Sequence, residues 1–360
     1  MTTVTEERLQ RTYSEECSDV KAGAGAGTLP IPCEAGIRNV VKSNLESAKE
    51  DPMSVETGTA VSRFDVLLER ARKLPAIPVA VCYPLTKVAL AGALESAVCD
   101  VIRPILVGPK DKIQHLAHTE GFNIDRCEMV DTADEIQAAK ISVELCRSGQ
   151  ADALMKGSLH TDAFMRPVLA KETGLRTLRR ISHSFVMETP AYDRILLITD
   201  AAINILPTLD DKVDIVQNAI DLAHVLGVPV PKVAILSAVE TVQSSIISTI
   251  HAAALCKMAD RGQITGGILD GPLAFDTAVS PEAMKIKHLV SSVAGQADIL
   301  IVPDLESGNM LAKQLEYLGG ASLAGIVTGA SVPIILTSRA DSAKTRMTSA
   351  AVALLMHACA

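Results

Sequence analysis

The sequence has no tryptophan, and only 2% of its 360 residues are aromatic. Because 48% of the residues are nevertheless hydrophobic, the core has to be built from alanine, valine, leucine and isoleucine. Helices rich in alanine that pack on strands rich in valine and isoleucine are typical of layered α/β folds. A chain of this length corresponds to about two domains of ordinary size.

The chain also lacks an excess of positive charge, since its formal net charge is -8. This balance argues against a general nucleic-acid-binding protein or a protein that binds anionic membranes, although it allows a local basic pocket. The 8 cysteines are scattered, with no CxxC pair and no cluster of cysteine and histidine at ligand spacing. We therefore expect reduced thiols and no structural zinc site.

No apolar run reaches the length of a membrane span, and the first residues lack the basic-then-apolar pattern of a signal peptide. The sequence thus predicts a soluble cytoplasmic protein that does not bind membranes. Residues 1–60 are polar and charged, with alternating glycine and alanine within positions 22–27. Little in this segment can bury a core, so we expect a flexible N-terminal tail.

From residue 77 onward, short apolar segments alternate with segments of helical periodicity. Strands expected at 78–82, 102–107 and 153–155, each followed by a helix, predict parallel βαβ units. Two further strands, at 185–188 and 195–199, are joined by a connection short enough for an antiparallel pair.

This pattern favours an α/β architecture with two α/β/α domains around a cleft. We expect the first domain to comprise residues 61–155 together with 330–360, since the last helix can return to the first half of the chain. Residues 156–329 then form the second domain. Ligands of open α/β sheets bind at the carboxyl ends of strands, so polar residues at these positions are candidates for a site.

The most informative of these positions lies near the end of the sequence, where the apolar run 334–336 stops at Thr337-Ser338-Arg339-Ala340-Asp341. The hydroxyl of Ser338 can donate a hydrogen bond, and the guanidinium of Arg339 suits a phosphate or a carboxylate. Asp341 is a candidate base or orienting group. The structural alternative is a strand end followed by a polar helix cap and a surface arginine.

Four other polar clusters follow predicted strands, and each alone is also compatible with a turn or a helix cap. Their acidic residues are not spaced as metal ligands, so we predict no metal site. Because strand ends gather at the cleft of an α/β enzyme, we expect all five clusters to share one cleft. The candidate residues of the four clusters are Lys156, Gly157, His160 and Thr161; Arg176, close to Arg179 and Arg180; Asp270, Gly271 and Asp276; and Gly308 and Asn309.

The order of these motifs along the chain strongly resembles that of the phosphate acetyl/butyryltransferase family. The resemblance covers about residues 62–360, and the form Ser-Arg-Ala-Asp-Ser at 338–342 is closer to the butyryl-type branch. The matching segments are Lys156-Gly157-x-x-His160-Thr161, Gly174-Leu175-Arg176-Thr177, Asp270-Gly271-Pro272-Leu273-Ala274-x-Asp276, Pro303-Asp304-x-Glu306-x-Gly308-Asn309 and Thr337-Ser338-Arg339-Ala340-Asp341-Ser342.

The resemblance implies a fold like that of isocitrate and isopropylmalate dehydrogenases, assembled as a homodimer or a higher homo-oligomer. It implies reversible acyl transfer between coenzyme A (CoA) and inorganic phosphate, with CoA as a substrate and no permanently bound cofactor. Ser338 and Arg339 correspond to residues at the reacting centre. An aspartate that serves as a base in the acetyl branch is replaced here by Thr345, which leaves Asp341 as the nearest substitute. The other candidates are expected to bind phosphate or CoA.

Several functions remain open from the sequence. The first is a phosphate acetyltransferase that works by direct attack in a ternary complex, and the second is a phosphate butyryltransferase. A route through an acylated cysteine is less favoured, because no cysteine lies in a strand-end cluster. From other classes, we consider a metal-dependent 2-hydroxyacid dehydrogenase and a non-catalytic acyl-CoA-binding regulatory protein.

Overall fold

Strands and helices alternate along the chain, as the spacing of the apolar runs predicts. The computed structural model describes residues 62–359, so the tail predicted at 1–60 lies outside the described residues. The strands are β1 Ile77–Cys82, β2 Ile102–Gly108, β3 Glu128–Asp131, β4 Ala153–Lys156, β5 Ser182–Thr189, β6 Tyr192–Thr199, β7 Lys232–Leu236, β8 Ile268–Leu273, β9 Ile299–Ile301, β10 Ser322–Thr328 and β11 Ile334–Ile335. The helices are α1 Arg63–Ala71, α2 Lys87–Val98, α3 Lys110–Glu120, α4 Glu135–Arg147, α5 Thr161–Val168, α6 Leu209–Leu226, α7 Ile247–Asp260, α8 Phe275–Val279, α9 Pro281–Ile286, α10 Leu305–Tyr317 and α11 Ala343–Ala358.

The described strands form one 11-stranded sheet in the order β3-β2-β1-β4-β11-β10-β5-β6-β9-β7-β8. The first five strands in this order are mutually parallel, and so are the last four. Between these blocks, β10 and β5 make antiparallel pairs with their neighbours, which confirms the antiparallel pair β5–β6 predicted from sequence.

The two blocks consequently run in opposite directions. We call the carboxyl ends of β1, β4 and β11 the first end, and the carboxyl ends of β6, β9, β7 and β8 the second end. The two point in opposite directions along the strands but finish at the same level, since Ile335 of β11 and Thr199 of β6 lie in one row of paired residues. Parallel blocks of this kind bury both sheet faces under helices. The mixed α/β class predicted from sequence is confirmed, whereas the division of residues 61–360 into two domains stays a prediction.

The last helix, α11, returns to the strands of the first block, as the sequence predicts. It packs against α1, α2 and β10, and residues 350–355 on it are buried. The side chain of Leu354 is only 1% exposed, and burial of a leucine contributes about 1.5–3 kcal/mol to stability. This packing fixes the start of α11 beside the ends of β4 and β11, where the polar corner lies.

Strand β8 differs from the sequence prediction, which places Asp270 and Gly271 after a strand, in a segment that is also compatible with a turn. The strand instead runs through Gly271 and Pro272, and two short helices that were not predicted, α8 and α9, follow it. Because β8 is the outermost strand, its proline does not remove a hydrogen bond from a second neighbour. Asp270 therefore lies within a strand rather than in a loop after it.

Candidate active site

The structure brings the Lys156 cluster and the Ser338 corner together at the first end of the sheet. Strands β4 and β11 are parallel neighbours, so Lys156 and the residues after Ile335 emerge side by side. A cavity of about 280 Å³, which we call the polar cavity, lies at this place. It is lined by Lys156, His160, Thr161, Asp162, Ser338 and Arg339.

Arg346, on α11, holds these two strand ends together. Its side chain is buried, with 1% exposure. Its Nη1 donates to the carbonyl oxygen of Lys156 at 3.1 Å, and its Nη2 donates to that of Ser338 at 2.9 Å. Arg346 lies outside every polar cluster that the sequence suggested. The available signal was one arginine on a helix whose neighbouring turns carry mostly alanine, serine and threonine.

Asp341 shapes the turn that carries Ser338. Its carboxylate is completely buried, and Oδ2 accepts a hydrogen bond from the backbone N–H of Ser338 at 2.7 Å. Its other oxygen, Oδ1, lies 3.5 Å from the ammonium of Lys313 on α10. Both oxygens are therefore engaged within the protein, while Ser338 and Arg339 are exposed to solvent.

The polar cavity carries more positive than negative charge at its base. The side chain of Lys156 is 2% exposed, and its Nζ donates to the carbonyl oxygen of Thr337 at 3.5 Å. Burial, followed by the positive charges of Arg346 and Arg339, lowers the pKa of the Lys156 ammonium to about 8. A bound anion would relieve this repulsion, so the cavity is suited to a phosphate or a carboxylate.

Helix α5 adds backbone donors to the same cavity. It begins at Thr161, and the side chain of its N-cap residue, His160, makes no capping hydrogen bond, so its first N–H groups can bind an anion. His160 precedes the helix, and its Nδ1 lies 3.4 Å from Nη2 of Arg339. Gly157 has a packing role, because a Cβ at this position would lie 2.3 Å from the carbonyl oxygen of Cys82.

A larger groove adjoins the polar cavity between α4 and α5. Its volume is about 780 Å³, and it shares His160 and Asp162 with the polar cavity. The apolar side chains of Ile136, Ile141 and Ala163 form part of its wall. We call it the α4–α5 groove.

The remaining sequence-predicted residues are not among those that line the polar cavity, and the expectation of one shared cleft stays a prediction. Asp270, Gly271 and Asp276 belong to β8 and the residues after it, at the far side of the sheet from β11. Asp276 is ion-paired with Lys287 at 2.9 Å. A Cβ on Gly271 would lie 2.7 Å from the carbonyl oxygen of Ile235.

Arg176 and the pair Gly308-Asn309 also lie at the second end. Arg176 is bridged to Ala330, which precedes β11, and Gly308 and Asn309 begin α10 after β9. Asn309 Nδ2 donates to the carbonyl oxygen of Ala201, and a Cβ on Gly308 would lie 2.7 Å from Val302 Cγ2. The carboxyl ends of β11 and β6 are level in the sheet, and Lys313, on the helix that Gly308 and Asn309 begin, lies 3.5 Å from Asp341. Their roles in binding stay predictions.

Cys82 is the cysteine that lies near Lys156. Its side chain is buried, and burial raises the pKa of its thiol to about 12. Such a thiol is a weak nucleophile at neutral pH. Within residues 62–359, no group of three or more histidine, cysteine, aspartate or glutamate residues is placed to hold a metal ion. No helix in this part of the chain has the length and apolar character that crossing a membrane requires.

Comparison with known proteins gives the family. A family model described as Phosphate acetyl/butaryl transferase matches residues 110–354. The chain is 56% identical over 298 residues to a phosphate acetyltransferase from Rhizobium meliloti, covering 82% of this chain and 94% of the relative. It is 43% identical over 295 residues to a phosphate butyryltransferase from Clostridium beijerinckii, covering 82% of this chain and 98% of that relative.

Solved structures give the fold. A branched-chain phosphotransacylase from Enterococcus faecalis V583 is 31% identical, with a TM-score of 0.69, covering 78% of this chain and 99% of that chain. A protein from Salmonella typhimurium assigned as a 4-hydroxythreonine-4-phosphate dehydrogenase shares the fold alone, at 11% identity and a TM-score of 0.50, covering 79% of this chain and 100% of that chain. The dehydrogenase-like fold predicted from the motifs is thus confirmed. The chain belongs to the phosphate acetyl/butaryl transferase family, as the order of its motifs predicts.

Proposed function

We propose that the protein is a phosphate acetyltransferase, which converts acetyl-CoA and inorganic phosphate reversibly into acetyl phosphate and CoA. The observation that carries the proposal is the polar cavity, where Lys156, Ser338 and Arg339 converge beside a larger, partly apolar groove. The relative with 56% identity supports acetyl transfer. Phosphate butyryltransferase is the second candidate, favoured by the relative with 43% identity.

The phosphate group is held at the basic side of the polar cavity. Arg339 is exposed and can pair with two phosphate oxygens, and Lys156 adds a second positive charge below it. The unpaired N–H groups at the start of α5, beside Thr161, supply further donors. Together these groups fix the phosphate so that the acyl carbon faces Ser338.

Acyl transfer proceeds by direct attack in a ternary complex. Because thioester and phosphate are held together in one cavity, their reaction becomes effectively unimolecular. This proximity supplies a large part of the catalysis. The hydroxyl of Ser338 donates a hydrogen bond to the charge that develops on the carbonyl oxygen or the sulfur. A donor placed in this way lowers the barrier by about 2.7–4 kcal/mol. The buried thiol of Cys82 supports this route over an acylated cysteine.

Asp341 positions Ser338 in this proposal. From sequence Asp341 is a candidate base or orienting group, and its complete burial with both oxygens engaged favours the orienting role. A carboxylate in this state orients the Ser338 turn. Asp341 is not among the residues that line the polar cavity.

The α4–α5 groove holds the pantetheine arm of CoA. It opens beside His160 and Asp162 at the polar cavity, so an arm lying in it would deliver its sulfur to Ser338. Apolar walls suit the arm, and Lys140 and Arg166, which share the groove with Glu135, Glu144 and Asp162, are the cationic side chains there that can pair with the phosphates of CoA. The homodimer and the cytoplasmic location stay predictions.

The function is tested with the purified protein and acetyl-, propionyl- and butyryl-CoA. Phosphate-dependent release of CoA, with acetyl phosphate as the second product, is the expected result. Highest kcat/KM with butyryl-CoA would select the butyryltransferase. Binding of acyl-CoA without phosphate-dependent release would select the non-catalytic alternative, and reduction of NAD or NADP with a 2-hydroxyacid and magnesium would select the dehydrogenase.

A further inference from the structure

The proposed reaction needs a proton acceptor, because CoA must lose its thiol proton when the thioester forms. Two groups at the corner are unsuitable: Arg339 and Arg346 stay protonated in proteins. The carboxylate of Asp341 is buried and already accepts from Ser338. Thr345 offers only a hydroxyl, which lies 3.1 Å from Ser342 Oγ.

Lys156 is placed where such an acceptor is required. Its amine lies at the base of the polar cavity, and the exposed Ser338 and Arg339 line the same cavity. Its one hydrogen bond to residues 62–359, to the carbonyl oxygen of Thr337, is long at 3.5 Å. The amine is therefore weakly held and faces the space in which thiol, acyl group and phosphate meet.

The surroundings of this amine favour its neutral form. Arg339 and Arg346 repel its positive charge, and the carboxylate of Asp341 only partly offsets them, because it is also paired with Lys313. With a pKa of about 8, about one tenth of Lys156 is unprotonated at pH 7 and about half at pH 8. The titratable and charged groups that face Lys156 are Arg346 from α11, Arg339 and Asp341 from the turn after β11, Cys82 from β1, and His160 and Asp162 from the start of α5.

We infer that Lys156 takes the thiol proton of CoA during thioester formation and returns it in the reverse direction, an inference that rests on the acyl transfer proposed above. The S–H proton moves to the neutral amine, the sulfur forms a bond to the acyl carbon, and the bond from that carbon to the phosphate oxygen breaks. The resulting ammonium then stands beside the departing phosphate anion. In the reverse direction phosphate attacks the thioester, and the ammonium protonates the thiolate as it leaves.

The test measures kcat and KM in both directions for the wild type, Lys156→Arg and Lys156→Met. Lys156→Arg keeps a positive charge that can bind phosphate but accepts no proton. We expect it to lower kcat by about 10²–10⁴-fold, the usual contribution of general acid–base catalysis. Its KM for acetyl phosphate should change by less than about threefold, since the charge is kept. Lys156→Met should lose kcat and also raise this KM.

The dependence on pH separates proton transfer from simple phosphate binding. If Lys156 transfers the proton, thioester formation by the wild type rises with pH through about 8, while thioester cleavage by phosphate falls above the same pH. A lysine that only binds phosphate would make both rates fall there. Ionisation of the CoA thiol also makes thioester formation faster as the pH rises. The increase with pH that remains in Lys156→Arg measures this contribution.

Lys212 provides the matched control. It is 3% exposed, its pKa is also about 8 because of burial, and it lies on α6, which follows β6 at the second end. Lys212→Met should keep the kcat values of the wild type, and its unfolding midpoint shows what removal of a buried amine does to folding. Wild-type kcat in Lys156→Arg would overturn the inference. The inference would also be overturned if the change in rate near pH 8 disappeared in His160→Gln or Asp162→Asn but persisted in Lys156→Arg. No turnover by the wild type would overturn the proposed function itself.

Discussion

The side chain of Arg346 fills the space that Gly92 leaves open. A Cβ at Gly92 would lie 2.6 Å from Cδ and 2.8 Å from Cβ of Arg346, closer than such atoms approach. Arg346 donates to the carbonyl oxygens of Lys156 and Ser338, which belong to the two halves of the polar cavity. Glycine at position 92 of α2 leaves the space that the arginine side chain needs to join them.

Gly92→Ala should therefore displace Arg346. We expect a loss of about 1–3 kcal/mol in the free energy of unfolding, as for other overpacked sites. The ends of β4 and β11 would shift, and kcat should fall. Urea unfolding and steady-state kinetics measure the two effects.

A double-mutant cycle with Arg346→Ala is the control. If Gly92→Ala acts through Arg346, it should change the free energy of unfolding and kcat much less in a protein that already carries Arg346→Ala. The effects of the two substitutions are then not additive. Strictly additive effects on stability and kcat would contradict the link between the two residues.

Asp341→Asn and Asp341→Ala distinguish a positioning role from a proton-accepting role. The amide oxygen of asparagine can still accept from the backbone N–H of Ser338, so Asp341→Asn should lose less than about tenfold in kcat. Asp341→Ala removes the hydrogen bond and should lose much more. Equal, severe losses in both variants, with loss of one limb of the pH profile, would instead assign Asp341 as the base.

Arg339→Ala should weaken the use of phosphate without affecting folding. The side chain is exposed, so the free energy of unfolding should change by less than about 0.5 kcal/mol. Loss of a charge-assisted pair should raise the KM for phosphate by about 10–100-fold, corresponding to about 1.5–3 kcal/mol. Arg103→Ala, which removes an exposed arginine from β2, is the control. Arg176→Ala, at the second end, should raise this KM less than Arg339→Ala.

Ala163→Trp should obstruct the α4–α5 groove. The side chain of Ala163 is partly exposed on its wall, so a tryptophan there can occupy groove volume without entering the core. We expect a higher KM for CoA and an unchanged KM for acetyl phosphate. A rise in the KM for acetyl phosphate alone would place the pantetheine arm elsewhere.

The stability contribution of Lys212 should depend on pH. Burial lowers the pKa of its ammonium to about 8, whereas in the unfolded chain the group titrates near its ordinary pKa of about 10.4. Between these values the unfolded state binds more protons, so stability rises with pH in this window. Relative to Lys212→Met, the wild type should gain on the order of 1–3 kcal/mol between about pH 7 and about pH 10. An unchanged difference in urea unfolding across this range would contradict the shift.

The sequence predicted the neighbourhood of Lys156 and Ser338, because both residues follow apolar strands and family motifs mark them. It did not predict that β8, which carries Asp270, and β9, which precedes Gly308, run opposite to β4 and β11. Strand direction is set by the antiparallel pairs that β10 makes with β5 and β11, and this pairing across distant segments leaves no local pattern. Arg346 was missed for a related reason, since its partners are carbonyl groups that any residue type supplies.

The order in which the chain is synthesised determines when the Arg346 contacts can form. Arg346 follows Lys156 by 190 residues, and Ser338 also precedes it on the chain. A ribosome-bound chain can pair β1 with β2 and β4 long before α11 has left the exit tunnel, but it has no joined cavity until then. Nascent enzyme should consequently acquire a folded sheet first and catalytic competence last.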